Sequence, residues 1–165
     1  MNDTYIECLV KAKTKGMWKF LKILLIMLTV VFVLLSLMGV ILLFVFAIAT
    51  CVGVYFVNLQ TDVEYEYLYL DKELTIDKIM AKTKRKRMGV YKVDRMEIFA
   101  PVKSYHLDNY RKRDVKTKDY SIGEELKPDR RYVFYYEGGE KILVSPSEEL
   151  VKAMRMVAPR KVFND

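Results

Sequence analysis

Ile23-Leu-Leu-Ile-Met-Leu-Thr-Val-Val-Phe-Val-Leu-Leu-Ser-Leu-Met-Gly-Val-Ile-Leu-Leu-Phe-Val-Phe-Ala-Ile-Ala-Thr-Cys-Val-Gly-Val-Tyr-Phe-Val-Asn-Leu-Gln-Thr61 is a run of 39 residues without Asp, Glu, Lys, Arg or His. As one helix it would be about 58 Å long at ~1.5 Å per residue. A bilayer's hydrocarbon core is only ~30 Å thick and takes about 20 residues per crossing. Tilt absorbs part of the excess and not half of it. The run therefore reads as two crossings, Phe20–Leu37 and Val40–Asn58, broken near Ser36-Leu37-Met38-Gly39, where Gly39 is the natural bend. A purely soluble protein is excluded.

The flanks set the orientation. Lys11, Lys13, Lys15, Lys19 and Lys22 precede the run, against only Asp3 and Glu7. Under the positive-inside rule that end stays cytoplasmic, and two crossings return the rest of the chain to the same side. The expected arrangement is a multi-pass membrane anchor with both termini cytoplasmic. One long tilted crossing with an outward-facing domain is the alternative topology. The apolar run is too long for a secretory signal core of 7–15 residues. Ile48-Ala49-Thr50-Cys51 is a poor lipoprotein box, because Thr precedes the cysteine and Val52–Val57 continues the apolar run. Trp18 and Tyr55 stand where interface anchors belong.

Small residues gather on the second crossing at Ala47, Ala49, Cys51 and Gly53, with Ala49 and Gly53 at small-xxx-small spacing. That spacing fits close packing against the first crossing, or against another membrane protein or a second copy of the chain. Residues 1–19 form a basic tail. It reads as a short interfacial helix, capped by Asn2 or Asp3 with Tyr5, Ile6, Leu9 and Val10 on one side, or as disordered chain.

Residues 62–165 carry 23 Lys and Arg against 19 Asp and Glu, within a chain of net charge +7. They open with strict alternation. Val63, Tyr65, Tyr67 and Tyr69 fall on one face, with Glu64, Glu66, Leu68 and Leu70 on the other, which is the period of a strand. Asp71-Lys72 turns the chain into a second strand over Glu73–Ala81. Further strands are expected over Met88–Val93 and Met96–Val102, then a loop over Lys103–Lys118 and a short strand at Tyr120–Ile122. After the Gly123–Asp129 connection, Gly138-Gly139 joins a hairpin of Tyr132–Glu137 and Glu140–Val144, since glycine supplies the positive φ of tight hairpin turns. The last element is a helix over about 146–158, with Ser145 as N-cap, Pro146 in its first turn and Glu148 and Glu149 at its positive end. Leu150, Val151, Met154 and Val157 make its apolar stripe and Pro159 stops it.

This element order resembles the pleckstrin-homology-like split barrel, including bacterial versions that follow a transmembrane hairpin. The fold class expected is thus a membrane protein with a helical hairpin and a β-rich α+β domain. A second resemblance rests on particular strings. They are the opening Met1-Asn-Asp-Thr-Tyr-Ile-Glu-Cys-Leu-Val-Lys11, then Asp62-Val-Glu-Tyr-Glu-Tyr-Leu-Tyr69, and Asp77-Lys-Ile-Met-Ala-Lys-Thr-Lys-Arg-Lys-Arg87. Ala100-Pro101-Val102 and the end Met156-Val-Ala-Pro-Arg-Lys-Val-Phe163 complete the set. Together they resemble a family of small membrane proteins from Gram-positive anaerobic bacteria, known as a domain of unknown function. The resemblance implies a bacterial inner membrane and carries over no functional residue.

Candidate binding residues are basic. Lys82, Lys84, Arg85, Lys86 and Arg87 are expected at a hairpin tip between the second and third strands, as a lipid or partner contact or as a solvated strand edge that resists aggregation. Near anionic headgroups each such charge contributes about 1 kcal/mol. In the resembling fold an early basic hairpin is the lipid-facing edge. Arg111, Lys112 and Arg113, beside Tyr105, His106 and Tyr110, make a second basic patch in the expected loop. No nucleic-acid motif accompanies it, and specific nucleic-acid binding is not expected. Tyr65, Tyr67, Tyr69, Tyr132, Tyr135 and Tyr136 sit at strand spacing and read as structural.

No nucleophile elbow, paired-histidine spacing or phosphate loop appears, so neither catalysis nor a cofactor is expected. Cys8 and Cys51 have no reason to meet, and His106 alone holds no metal. The expected role is a membrane-anchored, non-catalytic binding or scaffold module touching anionic lipid or a protein partner. The alternative is a structural or regulatory subunit of a membrane complex assembled through its helices.

Overall fold

The computed structural model describes residues 5–14, 16–122 and 129–164. Asn2, Asp3 and Lys15, and residues 123–128 of the expected connection, lie outside the described residues. The chain divides into two compact units. One comprises Met1–Lys13, Glu64–Ile79 and Arg85–Asp165, the other Thr14–Val63 and Met80–Lys84.

The smaller unit is built on two antiparallel helices, α1 (Gly16–Leu37) and α2 (Leu42–Thr61), each long and apolar enough to cross a membrane. Between them the chain reverses over Met38–Ile41, where Gly39 takes a φ of +102°, a left-handed conformation that a side chain would strain. Polar side chains join the helices. Lys22 Nζ donates to Asn58 Oδ1 at 2.7 Å, and the Thr29 and Thr50 hydroxyls lie 2.9 Å apart. Each such bond between apolar helices is worth about 0.6 kcal/mol. At the open end Thr14 Oγ1 donates to the Thr61 carbonyl at 2.6 Å, tying the chain entering α1 to the chain leaving α2.

The larger unit is β-rich. Its first sheet has four strands in the order β1 (Ile6–Lys11), β2 (Val63–Leu70), β3 (Glu73–Met80) and β4 (Lys84–Lys92). The presence of β1 corrects the expected interfacial helix or disordered tail. A six-residue helix gains too few hydrogen bonds to offset its nucleation. The same residues laid against β2 pair from Ile6–Tyr69 to Lys11–Glu64. They turn Ile6, Cys8 and Val10 onto the core while Glu7, Leu9 and Lys11 face out. Asp71 and Lys72, both at positive φ, make the turn into β3.

The second sheet has the order β5 (Met96–Pro101), β7 (Tyr132–Tyr136), β8 (Glu140–Val144) and β6 (Lys116–Asp119). The β6–β8 pair is parallel. The short strand falls at β6 and not at Tyr120–Ile122. Tyr120 instead leaves β6 into the core, its carbonyl accepting from the Tyr67 hydroxyl at 2.6 Å. In the β7–β8 turn the positive φ angles belong to Glu137 and Gly138, not to the Gly-Gly pair. Gly139 N–H closes that turn on the Tyr136 carbonyl at 3.2 Å.

The main core lies among Tyr67, Leu74, Ile76, Tyr91, Phe99, Phe134 and Ile142 of the two sheets, with Leu150, Val151 and Met154 of α4 (Glu148–Val157) packed on it. The cap of α4 is Ser147, whose Oγ accepts from Leu150 N at 3.3 Å, and not Ser145. Ser145 is buried, and its polar groups are satisfied there, the N–H donating to the Tyr67 hydroxyl and the Oγ accepting from Ile122 N. The expected Lys103–Lys118 loop is largely structured. It carries a 3-10 turn, Tyr105–Leu107, and one helical turn, α3 (Asp108–Arg111). Leu107, Tyr110 and Val115 from this segment cover Ile98, Ala100, Val133 and Tyr135 on the far face of the second sheet. That sheet is therefore apolar on both faces, so its strands lack alternation.

Candidate functional site

The basic string Lys82–Arg87 does not form a hairpin tip. Only Ala81 and Lys82, at φ +47° and +54°, make the turn, closed by Thr83 N–H on the Met80 carbonyl at 3.1 Å. Lys84, Arg85, Lys86 and Arg87 belong to β4, the edge strand of the first sheet. Four like charges in succession carry no turn signal, whereas an exposed edge strand tolerates them.

Two of these cations are engaged within the sheet. Arg85 and Arg87 share a face with Glu66 of β2 and Asp77 of β3. Arg85 Nη2 donates to Glu66 Oε2, while Arg85 Nε and Arg87 Nε stand 3.8 and 3.6 Å from the Asp77 carboxylate. Glu66 and Asp77 are 4% and 3% exposed, on the face opposite the tyrosine core. Burial pushes the Glu66 carboxyl above its ordinary value, against the pull of the Arg85 guanidinium. The alternating pattern of β2 places Glu66 outward, and the cover supplied by cations two strands away leaves no mark in the local sequence. Among the described residues no ion pair or hydrogen bond engages the side chains of Lys82, Lys84 or Lys86.

The turn's position follows from the smaller unit. Ala81 N–H donates to the Asp62 carbonyl at 2.6 Å, immediately after α2. Lys82 and Lys84 are thus held at the end of the hairpin where α1 starts, the end that also bears Lys19 and Lys22. All four lysines belong to the smaller unit although 60 positions separate Lys22 from Lys82.

The second basic patch is tied down rather than mobile. Arg111 reaches Asp108 Oδ1 at 3.3 Å and the Val102 carbonyl at 3.2 Å. Arg113 pairs with Glu97 at 2.6 Å and lies 4.6 Å over the Tyr110 ring. Tyr110 in turn packs on Tyr135. Lys112 is exposed. His106 stacks on Phe163 with ring centroids 3.7 Å apart, beside Tyr105. Among the described residues, no three His, Cys, Asp or Glu side chains gather to hold a metal.

The small residues of α2 divide between two faces. Ala47 is buried, and a Cβ on Gly53 would lie 3.6 Å from Leu25 of α1, so both face the partner helix. Ala49 and Cys51 are exposed on the outer surface of the hairpin.

Beside the second patch, Arg131 forms a fork with Asp129, Nε to Oδ1 at 2.9 Å and Nη2 to Oδ2 at 2.8 Å, both side chains nearly buried. The Arg131 hydrogen bonds hold the Asp129 carboxyl below its ordinary 3.8. A depressed carboxyl contributes stability above its unfolded value and loses it as pH falls through the folded value. Asp129→Asn is expected to destabilise the fold by about 2 kcal/mol at pH 7. The difference from the parent should vanish once acid has protonated Asp129, below its ordinary 3.8. Denaturant melts of both chains at neutral and acid pH measure this. A difference independent of pH would remove the charge from the explanation.

A model of the family described as Bacterial PH-like domain (DUF6106) matches residues 2–164. No curated protein and no solved structure matches the chain.

Proposed function

The chain belongs to this family of bacterial PH-like domains, and from that premise we propose that it is a membrane-anchored binding or scaffold module and not an enzyme. In this reading α1 and α2 cross a bacterial cell membrane, the β-rich domain and both termini are cytoplasmic, and a lysine collar meets anionic headgroups.

The carrying observation is the pairing of β1 with β2. β1 runs into α1 and β2 runs out of α2, and the register from Ile6–Tyr69 to Lys11–Glu64 puts both in one sheet. A sheet cannot be divided by a bilayer, because backbone groups left unpaired in hydrocarbon are too costly. The two ends of the hairpin therefore belong on one side of the membrane, which speaks against a single tilted crossing. The lysines of that end favour the cytoplasmic side. Lys19, Lys22, Lys82 and Lys84 there supply four charges, each worth about 1 kcal/mol near an anionic surface and screened within a Debye length of about 8 Å at physiological salt.

The test uses the full chain with one cysteine, Thr83→Cys, and with Cys8 and Cys51 changed to Ser. In intact cells a membrane-impermeant maleimide should leave it unlabelled until the membrane is permeabilised. In nanodiscs, a fluorophore on that cysteine should be quenched by headgroup-labelled lipid when anionic lipid is present, and less so at high salt. Labelling of intact cells would overturn the orientation. Quenching indifferent to lipid charge would overturn the headgroup contact.

A further inference from the structure

The edge of β4 changes character along its length. Its first half, Lys84–Arg87, is entirely cationic, while Met88–Tyr91 carries no charge and Val90 is 41% exposed. Charges that merely protect an edge belong on its sticky half. Here the uncharged half borders a cleft of about 440 Å³, walled by Gly89, Val90 and Tyr91 on one side and by Tyr136, Glu140 and Lys118 on the other. Tyr91 is 3% exposed, and its buried hydroxyl bonds no backbone group and has only a loose contact with the Tyr120 side chain. It stays in place because its ring meets Phe134 and Tyr136 edge-on, both at 5.1 Å, and because Gly89 leaves it room. A Cβ on Gly89 would come within 2.6 Å of the hydroxyl. A buried donor left unpaired is costly, and folds keep one where something else satisfies it. No strand covers the outer side of β4 among the described residues.

We propose that the free edge of β4 takes up an extended segment of a protein partner as an added strand, apolar where it lies along Met88–Tyr91 over the cleft and acidic where it passes Arg85–Arg87. Strand addition supplies affinity through main-chain hydrogen bonds and specificity through alternate side chains. The acidic character follows from β4 itself, whose nine residues hold five cations and no anion. Lys86, on the same face as Met88, stands ready for a carboxylate, since Arg85 and Arg87 are already turned toward Glu66 and Asp77 on the opposite face. The proposal rests on the reading of the chain as a binding module and names the chemistry of its partner.

The experiment uses the full chain in nanodiscs of zwitterionic lipid and measures amide exchange with synthetic octapeptides. The probes are acetyl-Glu-Glu-Glu-Glu-Val-Thr-Val-Thr-amide and its reversed sequence, since the strand direction is open, each with a counterpart bearing lysine for glutamate. One acidic peptide should slow exchange along Met88–Tyr91 and the lysine peptides should not. Lys86→Glu should weaken the acidic peptide about fivefold, the scale of a cross-strand charge pair. Failure of both acidic peptides to protect β4 would overturn the proposal, as would equal protection by the lysine peptides. Protection of the same amides by anionic vesicles alone would also overturn it and assign the edge to lipid. Loss of the lipid-dependent quenching at Thr83 with β4 protection intact would sink the headgroup contact and leave the docking edge standing.

Discussion

Tyr67→Phe is expected to remove about 3 kcal/mol from the stability of the β-rich unit, while Tyr91→Phe leaves it unchanged or slightly higher. Both hydroxyls are buried, both rings lie in the same core, and burial pushes both phenols well above their ordinary value. They differ in partners. The Tyr67 hydroxyl donates to the Tyr120 carbonyl at 2.6 Å and accepts from Ser145 N–H at 3.1 Å. It thereby joins β2 to the end of β6 and to the segment between β8 and α4. Phenylalanine would leave a buried carbonyl and a buried N–H unsatisfied at once, each costing about 1–3 kcal/mol. The Tyr91 hydroxyl bonds no backbone group and has only a loose contact with the Tyr120 side chain, so its removal relieves a desolvated donor and keeps the ring's contacts with Phe134 and Tyr136. Urea melts of the full chain in mild detergent, followed by near-ultraviolet dichroism, should separate the two variants clearly. Equal losses would show that the two hydroxyls contribute alike and would sink the distinction drawn between their partners.

Neither tyrosine could be told from the other in the sequence. Tyr67 sits in the clearest alternation of the chain and Tyr91 in a weaker one, and both patterns say only that a ring faces inward. The partner of a buried hydroxyl is fixed by backbone 53 and 78 residues away, which no local pattern encodes. What was legible was whatever a short window decides. The uncharged run and Gly39 mark a helical pair, Asp71-Lys72 marks a turn, and the glycine and serine punctuation of residues 138–147 locates the last hairpin and helix to within two residues.

The reading went astray where long-range partners overrule a local rule. The basic string reads as a tip because it falls between two stretches of strand spacing. It is a strand because β3 offers it a ladder and because Glu66 and Asp77 neutralise two of its arginines. The segment after Pro101 lost periodicity because one turn of it covers the second face of a sheet that is apolar on both sides. For the candidate site, the residue types were legible and the grouping was not. Lys82 and Lys84 are joined to the unit of Lys19 and Lys22 by a backbone bond from Ala81 to Asp62, and Arg111 and Arg113 are drawn off into ion pairs.

The largest effect is expected from β1, the element the sequence disguised best. Its first residues read as a membrane-surface tail because Tyr5, Ile6, Leu9 and Val10 fit a helical stripe as readily as Ile6, Cys8 and Val10 fit a strand. Only the uncovered edge of β2 decides between them. Losing β1 withdraws three half-buried apolar side chains, at about 1 kcal/mol each. It also bares the edge of a strand whose tyrosines and leucines invite pairing with other chains. A soluble protein comprising residues 62–165 alone should therefore be about 3–4 kcal/mol less stable than one in which residues 5–13 are joined to residue 62 by a flexible linker in place of the hairpin. A domain margin of 5–15 kcal/mol makes that loss decisive. The shorter protein should unfold at clearly lower urea and aggregate as it does so. Equal midpoints would mean that β1 is an ornament of the sheet. The pairing on which the proposed one-sided topology rests would then lose its energetic basis, and that proposal would rest on the lysines alone.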